Sequence, residues 1–405
     1  MFRRPLLAVL LSAAAVVPCA AQDPIPPPNP DTPLIQAGPL GITPTLLLRE
    51  FGRDENVFNE RDNPRGDFTF TVVPRAEVVF KPRLLRFAYT TALEYVYYDT
   101  YESERSTNVS SSVRADLSLG RFEPYLLASG TNTRQRLNPE VDVRAKHRER
   151  VYGAGFGLRV GTRLRLGASG RTTRMRFDEG TFRGEDLAAS FDSNIDILEG
   201  SAGLQVTPFT SFSVVVSQEQ QRFRAAAERD ADSLRVTPTF VFSPEAVVNG
   251  SIAIGYRRFT PRSSELPAYS GVVATATVGS TLWNRNRVEG VFARDIRYSY
   301  ERATPYYLAT GANVTLTSQL AGPFELRLIG SRQLMSYRAT ALVPALDQPR
   351  DDSVSSYGGG LLYRIREQLR VGGNVEWSGR DSQLSEDREY RNRRIFLSVT
   401  WGKQI

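Results

Sequence analysis

Catalysis and metal binding draw on a short list of side chains, and this 405-residue chain carries few of them: one histidine, His147, and one cysteine, Cys19. A single thiol makes no intrachain disulfide and no multi-thiolate zinc site, and a single imidazole makes no histidine cluster, so no metal and no cofactor is expected. His147 stands in Arg144-Ala145-Lys146-His147-Arg148-Glu149-Arg150 with no nucleophile marked beside it. It reads as a histidine of a solvated, charged connection, and the chain is not read as an enzyme. The abundant chemistry is guanidinium. Of 51 basic side chains only Lys81, Lys146 and Lys403 are lysine, against 44 acids, for a net charge of +7. Arginine's planar fork pairs with carboxylates and holds anions. These arginines are spread along the whole chain and form no stripe or tail, which argues against a nucleic-acid partner.

The elements that must position those arginines follow a period of two. Phe68, Phe70, Val72, Pro74, Ala76, Val78 and Phe80 fall on one side of a strand whose other side carries Thr69, Thr71, Arg75 and Glu77. After Lys81-Pro82-Arg83 the pattern resumes, with Leu85, Phe87, Tyr89, Leu93 and Tyr95 alternating against Arg86, Ala88 and Glu94. Comparable segments of about 10 to 14 residues run from Thr43 to Trp401, longer than typical globular strands. Pro74 and Pro238 interrupt two of them and are expected to mark bulges or twists.

Connections alternate in length. Short turns fall at 81–83, 120–121, 161–162, 207–210, 243–245, 283–286, 321–323 and 366–367. Longer polar connections lie between them, near 52–66, 99–106, 135–148, 178–194, 224–232, 260–269, 299–304, 338–353 and 379–389. This alternation, with strands long enough to cross a bilayer, predicts an all-β fold: a transmembrane antiparallel up-and-down β-barrel of about 18 strands, with 16 also possible. Tyr and Phe recurring near strand ends fit interfacial girdles.

The chain starts with Arg3-Arg4, an apolar run from Leu6 to Val17, and small residues before Gln22, which reads as a signal peptide over 1–21 and removes Cys19. Residues 22–42, rich in proline, are expected as a periplasmic linker, and 43–405 as the barrel. A barrel of this size leaves an aqueous lumen. The wall facing it is assigned Arg75, Glu77, Arg86, Glu94, Arg114, Asp116, Arg165, Arg171, Arg235, Arg257, Glu325, Arg327, Arg364, Arg370 and Glu376. Arg159, Glu199 and Glu289 join them. Such a wall either favours anions through its field or is a salt-bridged lining. The run Arg144 to Arg150 and the acids Asp351, Asp352, Asp381, Glu386 and Asp387 are placed on outer connections, in reach of lipopolysaccharide phosphates and outer-membrane lipid.

The signal segment, the proline-rich lead, the alternating strands and phrases such as Thr207-Pro208-Phe209-Thr210 and Ser243-Pro244-Glu245 resemble the beta-barrel porins of Gram-negative outer membranes, especially the beta-barrel porin type 2 family. That resemblance implies an integral outer-membrane protein forming a water-filled pore for small hydrophilic solutes, or for export of a polysaccharide together with export components. A non-conducting barrel that presents surface loops, as a scaffold or adhesin, is the competing reading. The last strand, with Ile395, Leu397, Val399 and Trp401 on one side, looks like the signal read by the barrel assembly machinery, although Gly402 to Ile405 follow it. No segment marks an oligomer interface.

Overall fold

The computed structural model describes residues 33–178, 180–339, 350–383 and 386–402, apart from the side chain of residue 386. The expected signal peptide and most of the expected linker lie outside these residues. Eighteen long strands follow one another: β1 (Leu40–Asp54), β2 (Asp67–Phe80), β3 (Leu85–Tyr98), β4 (Ser106–Leu117), β5 (Phe122–Arg136), β6 (Arg144–Val160), β7 (Leu164–Phe177), β8 (Ser193–Thr207) and β9 (Thr210–Phe223). The second half is β10 (Ala231–Phe242), β11 (Val248–Pro261), β12 (Tyr269–Leu282), β13 (Asn286–Tyr298), β14 (Tyr306–Gln319), β15 (Phe324–Arg338), β16 (Asp351–Arg366), β17 (Leu369–Ser382) and β18 (Tyr390–Gly402). Each pairs antiparallel with its sequence neighbours, and β1 also pairs with β18, from Thr45 opposite Gly402 to Asp54 opposite Arg394, which closes the barrel. Ile35–Ala37 folds back on Leu40–Ile42, so pairing begins ahead of Thr43, the expected barrel start.

All eight short turns sit at the end where β1 starts and β18 finishes, and all nine longer connections sit at the other, which is taken as the outer end. Alternation sets the faces. Phe68, Phe80, Leu85, Leu93, Leu234, Ile254 and Leu397 are exposed on the outside, whereas Thr69, Thr71 and Glu77 on the opposite face are buried inside. Aromatic pairs ring the outside at both levels, with Phe122 near Phe156 and Phe324 near Tyr363 at the inner end, and Phe51 near Phe68 towards the outer.

One expectation about the strands needs correction. Pro74 and Pro238 produce no bulge: Val72 opposite Tyr95 and Arg75 opposite Ala92 keep one register, as do Val236 opposite Tyr256 and Thr239 opposite Ala253. The missing N–H interrupts one ladder locally and the strand continues. The main bulge lies elsewhere, in β1, where the register shifts between Leu48 and Phe51 against β18 and between Arg49 and Gly52 against β2. Glu50 there has φ 56°, so two consecutive polar side chains, Arg49 and Glu50, reach the interior where strict alternation allows one.

Across the bulge β1 runs so close to β18 that a Cβ on Gly52 would press into the Ile395 carbonyl. Gly52→Val is therefore expected to cost about 2 kcal/mol or more and to weaken the β1 to β18 seam. Urea unfolding in detergent, read by the shift between folded and unfolded bands on unheated gels, checks this; an unchanged midpoint would contradict it.

Candidate functional site: the lumen wall and the outer cap

Ion pairs that skip strands show which face encloses the lumen, because only the concave side lets side chains bridge over an intervening strand. Arg235 on β10 reaches Asp295 on β13 at 2.7 Å, and Arg257 on β11 holds the same Asp295 at 2.9 Å and Glu219 of β9 at 2.7 Å. Arg49 on β1 pairs with Glu94 on β3, which also accepts from Asn108 and Gln135. Arg394 on β18 joins Glu50 at 3.0 Å to Glu376 at 2.9 Å.

At the inner end the pattern is an acid shared by arginines. Asp116 takes Arg114 at 2.7 Å and Arg86 at 3.6 Å; Glu123 takes Arg165 at 2.7 Å and Arg159 at 2.9 Å; Glu325 takes Arg370 at 3.3 Å and Arg364 at 3.6 Å. Arg287 with Glu289 completes the level at 2.7 Å. Seven arginines thus meet four acids, a surplus of three positive charges around the inner mouth. Arg75 feels Glu77 on the same face. Arg171 lies on that face of β7 opposite Gly153 and Ile197, and Arg327 on that face of β15 opposite Thr317 and Gly360. Every residue assigned to the wall from the sequence therefore faces the interior. Ile395, Leu397 and Trp401 are exposed on the lipid-facing side of β18, and Val399 alternates in phase with them.

The outer end is different in kind, because its connections fold inward and meet. The loop 137–143, between β5 and β6, is held from across the lumen: Arg380 on β17 donates to Pro139 O at 3.0 Å, and Ser299, in the loop between β13 and β14, donates to Glu140 Oε1 at 2.6 Å. Those two loops are eight strands apart on an eighteen-strand ring, close to opposite sides. Val141 beside Glu140 is fully buried among Phe177, Tyr300 and the short helix α1 (Leu187–Phe191), which contributes Leu187 and Phe191. Asn59 of the first outer loop donates to Asp142 at 2.7 Å. Arg229, 3% exposed, donates to the carbonyls of Ser190, Ser299 and Pro305, joining three loops through one fork.

A charge cluster locks the far side. Asp352 is fully buried between Arg380 at 2.5 Å, Arg350 at 3.0 Å and Arg388 at 3.6 Å, and accepts from Ser382 at 2.6 Å. Arg350 and Arg388 also bind Glu301 at 2.9 and 3.0 Å. This corrects the placement of Asp352 on a solvated outer loop, since β16 begins one residue earlier and turns it inward. Of the other acids so placed, Asp381 pairs with Arg391 at 2.6 Å and Asp387 with Arg183. His147 is likewise no loop residue: it lies in β6 opposite Thr133, its ring stacked 5.1 Å from Phe177. The cap was not legible beforehand, because Glu140, Arg229 and Arg388 look in sequence like any charged loop residue. Arg49 and Glu50 did carry a signal, two adjacent polar residues breaking an alternating strand.

Glu140 is the weak point of the cap. Burial pushes its carboxyl up to about 7 from 4.5, with Glu301 adding to the rise and Ser299 opposing it. Its Oε2 and the hydroxyls of Tyr307 and Tyr337 are buried without a hydrogen-bond partner among the described residues, each costing about 1–3 kcal/mol.

Comparison with known proteins finds one family. Residues 35–403 match the model of the family described as "Putative beta-barrel porin 2". No curated protein matches the sequence. Among solved structures, Pseudomonas aeruginosa OccK2 (OpdF) in complex with glucuronate is similar at 10% identity and TM-score 0.49, covering 89% of this chain and 98% of that one. Acinetobacter baumannii OccAB3 is similar at 8% identity and TM-score 0.48, covering 89% and 99%.

Two outcomes test the cap. Asp352→Ala leaves the buried Arg380 guanidinium without an acid and Arg350 and Arg388 with Glu301 alone, at a cost of about 3–5 kcal/mol, and should make 137–143 open to protease in detergent-solubilised protein while the barrel stays folded. A carboxyl whose pKa is raised on burial favours the buried state below 4.5, and that support is lost as pH rises to about 7. Protease sensitivity of the loops should therefore climb between about pH 5 and 7.5, and Glu140→Gln should flatten the climb.

Proposed function

Because the chain belongs to the beta-barrel porin 2 family and is a porin-like barrel of the outer membrane, we propose that it is a capped channel for small hydrophilic solutes with a preference for anions. The observation that carries this reading is the inner mouth, where seven arginines share four acids. A surplus of fixed guanidinium charge on a low-dielectric wall raises the local concentration of anions. Paired acids hold the side chains against the wall and keep the lumen from filling with loose arginine.

The outer cap supports passage controlled by loop movement. Its contacts leave the Glu140 carboxylate oxygen and two tyrosine hydroxyls unsatisfied, so opening lets water reach groups whose burial is unfavourable. Export of a polysaccharide would require the whole crossing at 137–143 to be displaced, and small solutes are favoured for that reason. The non-conducting scaffold draws on the same cap, since outer connections packed together can present a stable outer surface without any flow beneath it.

Planar-bilayer recording of the purified protein tests the reading. Steady conductance steps are expected, with a reversal potential on the anion side in a salt gradient. Arg364→Ser with Arg370→Ser should move that potential towards cations and leave the cap intact. Silence at every pH and voltage would favour the scaffold, and clear cation selectivity of the unmodified protein would overturn the anion preference.

A further inference from the structure

Wherever two cations face each other across a ladder in the lumen, an acid stands between them. Arg159 opposite Arg165 share Glu123, Arg235 opposite Arg257 share Asp295, and Arg364 opposite Arg370 share Glu325. At the outer rim Arg136 opposite Arg144 have Asp142 and Glu104. Like charges directly opposite destabilise a sheet, and the acid removes the penalty.

The outside of β6 and β7 breaks this rule. Arg148 lies opposite Arg176 and, one step nearer the membrane, Arg150 lies opposite Arg174. Asp178 serves Arg148 at 3.0 Å and Lys146 at 2.9 Å, and Arg176 donates to Asn194 at 2.7 Å. Arg150 and Arg174 are both exposed, and no side-chain hydrogen bond or ion pair engages either among the described residues. Asp196, one row closer to the membrane centre and opposite Thr172, makes no ion pair with them. Exposed arginines elsewhere on the outside either have an acid, as Arg391 has Asp381 and Arg393 has Glu55, or stand singly, as Arg258 does opposite Ser270.

The depth and the surface beneath point to what supplies the missing anion. Ten residues separate Arg150 from Val160 at the inner end of β6; at about 3.3 Å per residue and a tilt of about 40° this is about 25 Å, the height of the apolar band. The opposed arginines therefore stand at the outer headgroup level. Directly below them Leu126, Ala154, Gly170 and Leu198 form one cross-strand row. The two small residues lie between two leucines, and a Cβ on Gly170 would meet nothing within 4 Å. With Tyr152 above, these side chains line a recess of about 800 Å³, whose other side carries Thr172, Asp196, Gln218 and Gln220. A cationic pair over a trough floored by Leu126, Ala154, Gly170 and Leu198 has the shape of a phosphorylated headgroup with its chain.

We propose that the outside of β6 and β7 is a binding site for a phosphorylated lipid of the outer leaflet, with Arg150 and Arg174, flanked by Arg148 and Arg176, taking the phosphate and the trough over Ala154 and Gly170 taking an acyl chain. The bound phosphate supplies the negative charge that an acid supplies at each opposed pair in the lumen.

The test uses the full mature protein in detergent micelles doped with lipid A carrying both phosphates, with EDTA present so that no divalent cation bridges the contact. Binding is expected for the phosphorylated lipid, with dephosphorylated lipid A at least ten-fold weaker and inorganic phosphate unable to compete at millimolar concentration. Arg150→Ser with Arg174→Ser should lose binding by ten-fold or more, and Gly170→Leu, which fills the trough without changing charge, should weaken it as well. The unheated-gel band shift confirms that each variant is folded. Equal affinity for the dephosphorylated lipid, full competition by inorganic phosphate, or unchanged binding by the folded double variant would each overturn the proposal, and the lipid comparison on the unmodified protein needs no variant.

Discussion

A sheet edge facing hydrocarbon would expose a row of N–H and C=O groups with no water to satisfy them, each costing several kcal/mol, so the pairing of β1 with β18 carries the rest of the molecule. Every other ladder forms between sequence neighbours, whereas this one joins residues 340–357 apart, from Asp54 with Arg394 to Thr45 with Gly402. The same seam holds the β1 bulge, and the bulge is why Glu50 can reach Arg394. Closure and lumen electrostatics are thus joined at one place. Gly52 permits the close approach, Glu50 turns inward through its left-handed backbone, and the charge pair forms across the two ends of the chain.

Once the ring is closed, its inner wall must carry polar groups in a space bounded by a low-dielectric shell. Isolated charge there is costly, and arginine paired with carboxylate is the solution used at each level. The arrangement is uneven. In the outer half, single arginines join two acids, as Arg394 joins Glu50 and Glu376, or two arginines meet two acids, as Arg235 and Arg257 meet Asp295 and Glu219. At the inner mouth two arginines share one acid. Among these ion pairs the excess of guanidinium over carboxylate is therefore greatest at the inner mouth.

Much of this was legible because the lipid acts on every second residue. A position such as Leu397 or Phe68 must be apolar, the next must not be, and the turns 120–121 and 366–367 can be placed by where the phase breaks. Residues assigned to the lumen are in phase with one another for the same reason. The rule loses force where strands leave the membrane. Asp352 continues a strand above the bilayer, where its burial depends on Arg380 and Arg388 from other elements, and His147 leans on Phe177 of the next strand. No local period marks such contacts. The prolines misled for a related reason: Pro74 and Pro238 signal a lost donor, but a ladder already fixed on both flanks absorbs the loss without a change of register.

The cap and the barrel are stabilised in opposite ways, and that contrast bears on how the molecule could work. In the wall, almost every backbone group is bound to a neighbouring strand, and loss of one element opens an edge into lipid. In the cap, loops are joined by side chains at few points: Arg229 ties three loops, Arg380 ties 137–143 to β17, and Asp352 neutralises three guanidinium groups. These anchors sit beside unsatisfied groups on Glu140, Tyr307 and Tyr337. Removing an anchor therefore frees a loop with little effect on the ladders, because the loops bond to the ring only at its rim, as Asp192 does to the Phe177 N–H and Asp230 to the Phe223 N–H. A rigid wall with a separately held outer surface lets the loops rearrange at no cost to the barrel's closure.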